Sequence, residues 1–550
     1  MAVGTSQVAR FVLDHAFAVG SFAVVSLIFV FSCRRSRRHE PPSLADAIPF
    51  ISNTYQYMTD LQSFTKRASH ALSRTDVVKF YIGPMRVYFV KGGESVQAMF
   101  RLSNVLSSDK FILMVLKNLQ GASEEDIAKF VNDKSGRLKT PAPGWENVPQ
   151  ERRYWYTLHH VAITNLTQSE PANHLTKMFG RFFDAALEKQ PLGQWSTIRL
   201  FDLLRRDMGE SALKAMSGTK VLEMHPGYIE QFWRFDSVAF QLVYGLPRWM
   251  NRKPVEERDK LNRMTREYLK RAFTNFDWNG PDAAAAWEPT FGSTYTRRIA
   301  KWLYDMDMSE QMRAGCYMVG VFGVNSNTIP VTTWAMMEVL KDPSLFQDLR
   351  SEALHALNAD PLSGKRFFDV AKLTSLPLLQ SVYVECMRLH VSINVTREII
   401  QATILHGYRL EKGALLQAPT NIAHQDEKTW AHDGHEASKF WAERHVKSVK
   451  MVTNDKGQVT TEKQFVLAGK ANEFFPYGGG VSMCPGRHFA KQEILLTIAL
   501  LVTRFDIQFV DWVHMDGSKS ERPPMDDQRY FGSAAVPPDR DVKLRWKRLW

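Results

Sequence analysis

The 550-residue sequence predicts a single large, mainly α-helical domain with small β-sheets, preceded by an N-terminal membrane anchor. Three observations predict it. Apolar residues recur at helical spacing over long stretches, strand-like runs are few and short, and no second linker, repeat or low-complexity block follows residue 45. With 44% hydrophobic and 23% charged residues the chain can bury a large core, which excludes a disordered protein and a small disulfide scaffold.

The anchor comes first. Ala16 to Cys33 carries no charge, and as a helix its 18 residues span about 27 Å at about 1.5 Å each. That approaches the roughly 30 Å of a bilayer core. Arg34, Arg35, Arg37 and Arg38 follow at once and place that flank in the cytoplasm. A cleaved signal is the competing reading, but only Arg10 precedes the run, and arginines stand where small residues should permit cleavage. The division expected is 1–33 anchor, 34–44 basic and proline linker, and 45–550 catalytic domain.

Within the domain, helical periodicity covers 151–180, 255–275, 308–341, 343–358 and 485–504. Strands are expected at 87–91 and 403–410, and 133–150 reads as a surface loop. The four cysteines, at 33, 316, 386 and 484, form no Cys-x-x-Cys pair. A zinc ribbon, an iron–sulfur cluster and a secreted disulfide framework are thereby disfavoured, and a reducing compartment is expected. Lys and Arg exceed Asp and Glu by 70 to 58, a balance suited to an anionic membrane or an acidic partner. Outside the arginine cluster the basic residues are scattered, so no nucleic-acid partner is expected.

Chemistry concentrates in Phe475-Pro-Tyr-Gly-Gly-Gly-Val-Ser-Met-Cys-Pro-Gly-Arg-His-Phe-Ala490. A glycine-rich loop delivers Cys484 to the start of a helix, with Pro485 fitting the first helical position. There a thiolate would face backbone N–H groups and the positive helix end, which favours the deprotonated, metal-binding form. Gly480 and Gly486 remove side chains on either side, so a flat body could approach the sulfur. A phosphate-binding glycine loop is a weaker reading, because no Lys-Ser/Thr follows.

Tyr477-x-x-Gly480-x-x-x-Cys484-x-Gly486-x-x-x-Ala490 resembles the haem-ligand signature of the cytochromes P-450. Two departures stand out: Tyr477 replaces the usual Phe, and Ser482 replaces the basic residue two before the ligand. Glu385-Cys-Met-Arg388 and Phe440-Trp-Ala-Glu-Arg444 resemble the family's Glu–Arg–Arg structural network. Gly323-Val-Asn-Ser-Asn-Thr-Ile-Pro330 resembles the long helix over the distal haem face, with Ser326 at the usual acid's place and Asn327 at the usual threonine's. Pro330 cannot donate to the Ser326 carbonyl, so a kink is expected there, with a polar niche beside Asn327. The Asn-Thr-Ile-Pro pattern is similar to the branch of cholesterol and oxysterol 7α-hydroxylases and prostacyclin synthase, and the triglycine form resembles fungal members of specialised metabolism.

The resemblance implies a haem-thiolate monooxygenase with haem b ligated by Cys484 and supported by Tyr477, Gly480, Gly486 and Arg487. Ser326, Asn327 and Thr328 are its implied catalytic positions. It further implies electrons from NADPH through a reductase that docks near Arg487 and Lys491, and an endoplasmic-reticulum location with the domain in the cytosol. The implied substrate is bulky and lipophilic, terpenoid, steroid or alkaloid-like. Substrate-facing positions are Phe111, Leu113, Met114, Val319, Phe322, Val391, Ile393, Val395 and Phe531. An isomerase or dehydratase acting on a peroxide without external electrons is the alternative, and a non-catalytic haem- or sterol-binding protein a third.

Overall fold

A computed structural model describes residues 39–243, 245–453, 459–469 and 471–550. The anchor expected at 1–33 and the four arginines lie outside the described residues. No helix among the described residues is long and apolar enough to cross a membrane. The chain enters bonded to the domain: the Leu44 N–H donates to the Lys79 carbonyl at 2.7 Å, and the Lys79 ammonium meets Glu40 at 2.6 Å.

One mixed sheet lies beside a larger helical body. Its strands are β1 (Val77–Ile82), β2 (Met85–Val90), β3 (Leu106–Ser107), β4 (Val391–Ile399), β5 (Leu415–Pro419) and β6 (Ser533–Ala535). They run in the order β1-β2-β5-β4-β6, with β3 also on β4, and β2–β5 is a parallel pair. β1 and β2 are rich in valine and aromatic residues and turn back at Gly83, whose φ of 53° suits a tight hairpin. The strand expected at 403–410 is instead a hairpin, Thr403–Leu405 against Tyr408–Leu410. His406 and Gly407 both take positive φ there, which closes a two-residue turn.

The helices that frame the site are α1 (Tyr154–Leu166), α2 (Ser169–Glu188), α3 (Gly209–Ser217), α4 (Tyr228–Asp236), α5 (Arg252–Asn275), α6 (Glu310–Asn325), α7 (Thr328–Lys341), α8 (Pro343–Leu354), α9 (Pro377–His390) and α10 (Arg487–Arg504). α6 packs against α3 and α5, and α10 packs against α2, α7 and α8. Buried side chains from all of these elements merge into one apolar core.

Two expected helices are each split. The periodicity over 151–180 runs through a break at Thr167 and Gln168, after which Pro171 sits in the first turn of α2, where its missing N–H costs little. The stretch 308–341 divides into α6 and α7 at Ser326 and Asn327, one turn before Pro330. The ladder resumes with Val331 N–H donating to the Asn327 carbonyl at 3.3 Å. α10 starts at Arg487 behind Gly486 as N-cap, so Pro485 precedes the helix and does not open it. Segment 133–150 carries no helix or strand until a short 3-10 helix begins at Gln150, and it is tied down by Arg153, which donates to the Leu138 and Lys139 carbonyls at 2.6 and 2.9 Å.

Candidate haem-thiolate site

The cysteine loop closes on itself. Cys484 N–H donates to the Tyr477 carbonyl at 3.0 Å, Gly478 N–H to Phe475 at 2.9 Å and Met483 N–H to Gly480 at 3.2 Å. The three glycines answer to two separate constraints. Gly478 and Gly480 hold φ of 67° and 64°, a region that side chains disfavour. A Cβ on Gly479 would lie 2.2 Å from Cε2 of Phe100, whose ring seals the loop from the helix Glu94–Arg101. Gly479→Ala is therefore expected to displace that ring, costing about 1–3 kcal/mol by overpacking. Thermal denaturation and the haem-to-protein absorbance ratio check it, and Phe100→Ala in the same chain should recover part of the loss. An unchanged Gly479→Ala protein would remove Phe100 as the cause of the triglycine.

Cys484 is half-buried at the end of this loop. Burial pushes its free thiol up, against the expectation of a lowered one. The N–H groups of Gly486 and Arg487 and the Arg487 charge act the other way and do not win. A coordinating metal removes the conflict, because it deprotonates the thiol outright. Arg487 donates to the Cys484 carbonyl at 3.0 Å and so braces the loop. The Tyr477 hydroxyl pairs with that of Tyr383 on α9, a bond the family's usual Phe could not make.

On α6, Val319, Gly320, Phe322 and Gly323 are not fully buried, and a Cβ on Gly320 or Gly323 would meet nothing within 4 Å. Among the three expected catalytic positions only Asn327 is partly open. Its Oδ1 accepts from the Ala535 N–H of β6 at 3.0 Å, so its acceptor is committed and its Nδ2 donors remain. Ser326 and Thr328 are buried: Ser326 donates to Asp236, and Thr328 Oγ1 donates to the Val324 carbonyl at 2.7 Å. Phe111, Leu113, Met114 and Ile393 are at least partly open, whereas Val391, Val395 and Phe531 are buried.

Behind the loop, the expected network is complete. Arg388 grips Glu385 through Nε at 2.9 Å and Nη2 at 2.7 Å, and Arg444 Nε reaches the same carboxylate at 2.8 Å. All three side chains are wholly buried. The pair expected for reductase docking is less free than the sequence implies. Lys491 Nζ turns inward to Gln380 at 2.6 Å, while His488 is exposed.

Two site residues were missed by the sequence reading. Arg397 lies on β4, donates to the Gly479 carbonyl at 3.1 Å, and pairs with no carboxylate among the described residues. Burial, with Arg137 nearby, lowers its pKa to about 10. A buried, unpaired guanidinium against the cysteine loop fits an anionic group such as a haem propionate and supplies the cation that Ser482 does not. Its signal was present, since Val395, Arg397 and Ile399 share the inward register of one strand. Glu493 on α10 is fully buried beside Thr328, and burial pushes its carboxyl well above the ordinary range.

A half-open cysteine held by a braced glycine loop, open space along a glycine-bearing helix and an unpaired guanidinium at the loop together fit a haem-thiolate centre. The "Cytochrome P450" family profile matches residues 41–516, and the chain belongs to that family of oxidoreductases, which implies a haem-thiolate iron. It is 47% identical over 511 residues to a cytochrome P450 monooxygenase of Penicillium decumbens, covering 93% of each chain. It is 27% identical over 534 residues to another of Humicola fuscoatra, covering 92% and 87%. A 5β-cholestane-3α,7α-diol 12α-hydroxylase of Sus scrofa is 30% identical over 267 residues, covering 45% of this chain and 49% of the relative. The fold is shared with the retinoic-acid-bound cyanobacterial CYP120A1, at TM-score 0.63 and 16% identity over 93% of this chain and 99% of that one.

Proposed function

We propose that this cytochrome P450 monooxygenase hydroxylates a bulky, lipophilic terpenoid, steroid or alkaloid-like substrate in fungal specialised metabolism, with electrons from NADPH through a reductase. The cysteine loop carries the reading, supported by the long match to monooxygenases of two fungi and the partial match to a steroid hydroxylase. Haem bound at Cys484 would supply oxygen activation, the thiolate favouring O–O cleavage. Arg397 would hold its anionic edge, Arg487 braces the ligand loop, and the partly open apolar residues Leu113, Met114, Val319 and Phe322 orient substrate and exclude water. The endoplasmic-reticulum anchor at 1–33 belongs to the same proposal. It is supported by the uncharged run before four arginines and by exposed Phe50, Ile51, Tyr55, Trp249 and Met250. The test is full-length protein in microsomes with a fungal reductase, where NADPH consumption with candidate lipophilic substrates should yield a hydroxylated product. Turnover of a peroxide substrate with no NADPH use would favour the isomerase or dehydratase reading, for which Asn327 in place of the usual alcohol speaks.

Asn327 separates the roles. We expect Asn327→Ala to uncouple the cycle, so that NADPH is still consumed while peroxide rises and product falls. Asn327→Asp keeps an acceptor for Ala535 but loses the Nδ2 donors, and should uncouple as well. Asn327→Thr should recover part of the coupling by restoring a hydroxyl. Wild-type coupling in Asn327→Asp would reduce Asn327 to a tie between the helix break and β6.

A further inference from the structure

The break between α6 and α7 is clamped to a carboxyl that no part of the mechanism above uses. Asp236, the last residue of α4, is buried and accepts from the Ser326 hydroxyl at one oxygen and from Tyr530 Oη at 3.1 Å at the other. Tyr530 lies just ahead of β6, whose Ala535 bonds Asn327. A closed circuit results, running from Asn327 through β6, Tyr530 and Asp236 to Ser326, with Asn327 as its partly open member. Sequence separation hides it: Asp236, Ser326 and Tyr530 come from three distant segments.

A structural hydrogen-bond hub would serve as well with an amide, which makes both bonds and carries no charge to bury. A carboxyl adds a charge facing Arg205 and the ability to hold and release a proton. Burial pushes Asp236 up to about 6, against the opposing hydrogen bonds of Ser326 and Tyr530 and the charge of Arg205. It therefore changes charge near pH 6. Arg205 is the cation that faces it, with Asp202 and Asp541 acting on Arg205 from further out and Arg529 acting on Tyr530.

We propose that Asp236, acting through the Ser326 hydroxyl, is the acid that feeds protons to the partly open side of Asn327. In the acid form the carboxyl O–H donates to Ser326 Oγ. As that proton moves onto the serine oxygen, the serine's own hydroxyl proton leaves toward water at Asn327, so Ser326 gains one proton and loses one. Asp236 is left as a carboxylate stabilised by Arg205 and Tyr530, and solvent protons restore it. The proposal rests on the monooxygenase reading, because proton delivery accompanies oxygen reduction there. Asp236 is a positioning and proton-holding residue, since it acts on the Asn327 side only through Ser326.

The test compares Asp236→Asn, Ser326→Ala and Tyr530→Phe in the full chain loaded with haem. Asp236→Asn and Ser326→Ala should keep haem content and NADPH consumption but divert electrons to peroxide, and the pH dependence of coupling near pH 6 should vanish in both. Tyr530→Phe removes a donor to the carboxylate, so coupling should persist with its midpoint moved to higher pH. Infrared difference spectra read the same group without turnover: a protonated-carboxyl band titrating near pH 6 in the wild type, shifted up in Tyr530→Phe and absent in Asp236→Asn. Wild-type coupling with an unchanged pH profile in Asp236→Asn, or no such band in the wild type, overturns the proposal. If Asp236→Asn fails to load haem, Ser326→Ala and the band shift in Tyr530→Phe still decide it. A wild-type protein that uses no NADPH would instead defeat the monooxygenase reading and leave the infrared titration to judge Asp236.

Discussion

Replacing Cys484 by serine is expected to abolish both product formation and the thiolate-type absorption of the reduced carbonyl complex, while Cys316→Ala and Cys386→Ala leave that spectrum intact. The three described cysteines differ in setting, not in chemistry. Cys316 is buried, its thiol donates to Gln120 Oε1 at 3.2 Å, and burial pushes it up to about 12. Cys386 is fully buried within α9, and burial raises it well above its ordinary range. Such thiols are inert. Cys484 alone of the three is partly open, sits on a glycine loop, and faces two backbone N–H groups and a guanidinium. Serine keeps the size and the loop bonds made by the backbone, so a lost spectrum would report the sulfur itself. Persistence of the thiolate spectrum in Cys484→Ser would show that another group holds the iron, and the haem assignment would fall with it.

What the sequence made legible follows from how local each signal is. The cysteine loop, the Glu385–Arg388 pair and the helix break before Pro330 are written in consecutive residues, where proline, glycine and helical spacing act directly on the backbone. Even there one placement slipped: Pro485, expected at the first helical position, precedes α10 behind its Gly486 N-cap. The split between α1 and α2 was hidden because apolar spacing continues across Thr167 and Gln168, and periodicity cannot register a change of axis. Long-range pairings were not legible. Phe100 gives Gly479 its meaning from almost 380 residues away, and Asp236 meets Ser326 across 90 residues. Arg397 lies between these cases: its inward register could be read from the strand, but its target, the Gly479 carbonyl, could not.

The largest stability effect is expected at Glu385. Glu385→Gln preserves shape but leaves the Arg388 and Arg444 guanidinium groups buried without a counter-charge, which should cost about 3–5 kcal/mol. The effect carries a pH signature with a definite sign. Burial alone would raise the Glu385 carboxyl, but the Arg388 hydrogen bonds, His445 and the two arginine charges outweigh it and lower the carboxyl from 4.5 to about 2. A carboxyl lowered on folding stabilises the protein above its unfolded value and loses that contribution as pH falls through its folded one. At about 1.4 kcal/mol per unit, the shift corresponds to about 3 kcal/mol. Thermal or denaturant unfolding of wild type and Glu385→Gln should therefore differ by a constant gap above about pH 5 that narrows as the pH approaches 2. Arg444→Ala should show the same narrowing from the other side of the bond, since it removes one of the groups that hold the carboxyl low. A gap that stays the same from pH 7 to pH 3 would mean that the carboxylate is not held by the two arginines. The network would then stabilise the chain by packing against Trp430 and Trp441, over whose rings Arg388 and Arg444 lie at 5.5 Å, and not by charge.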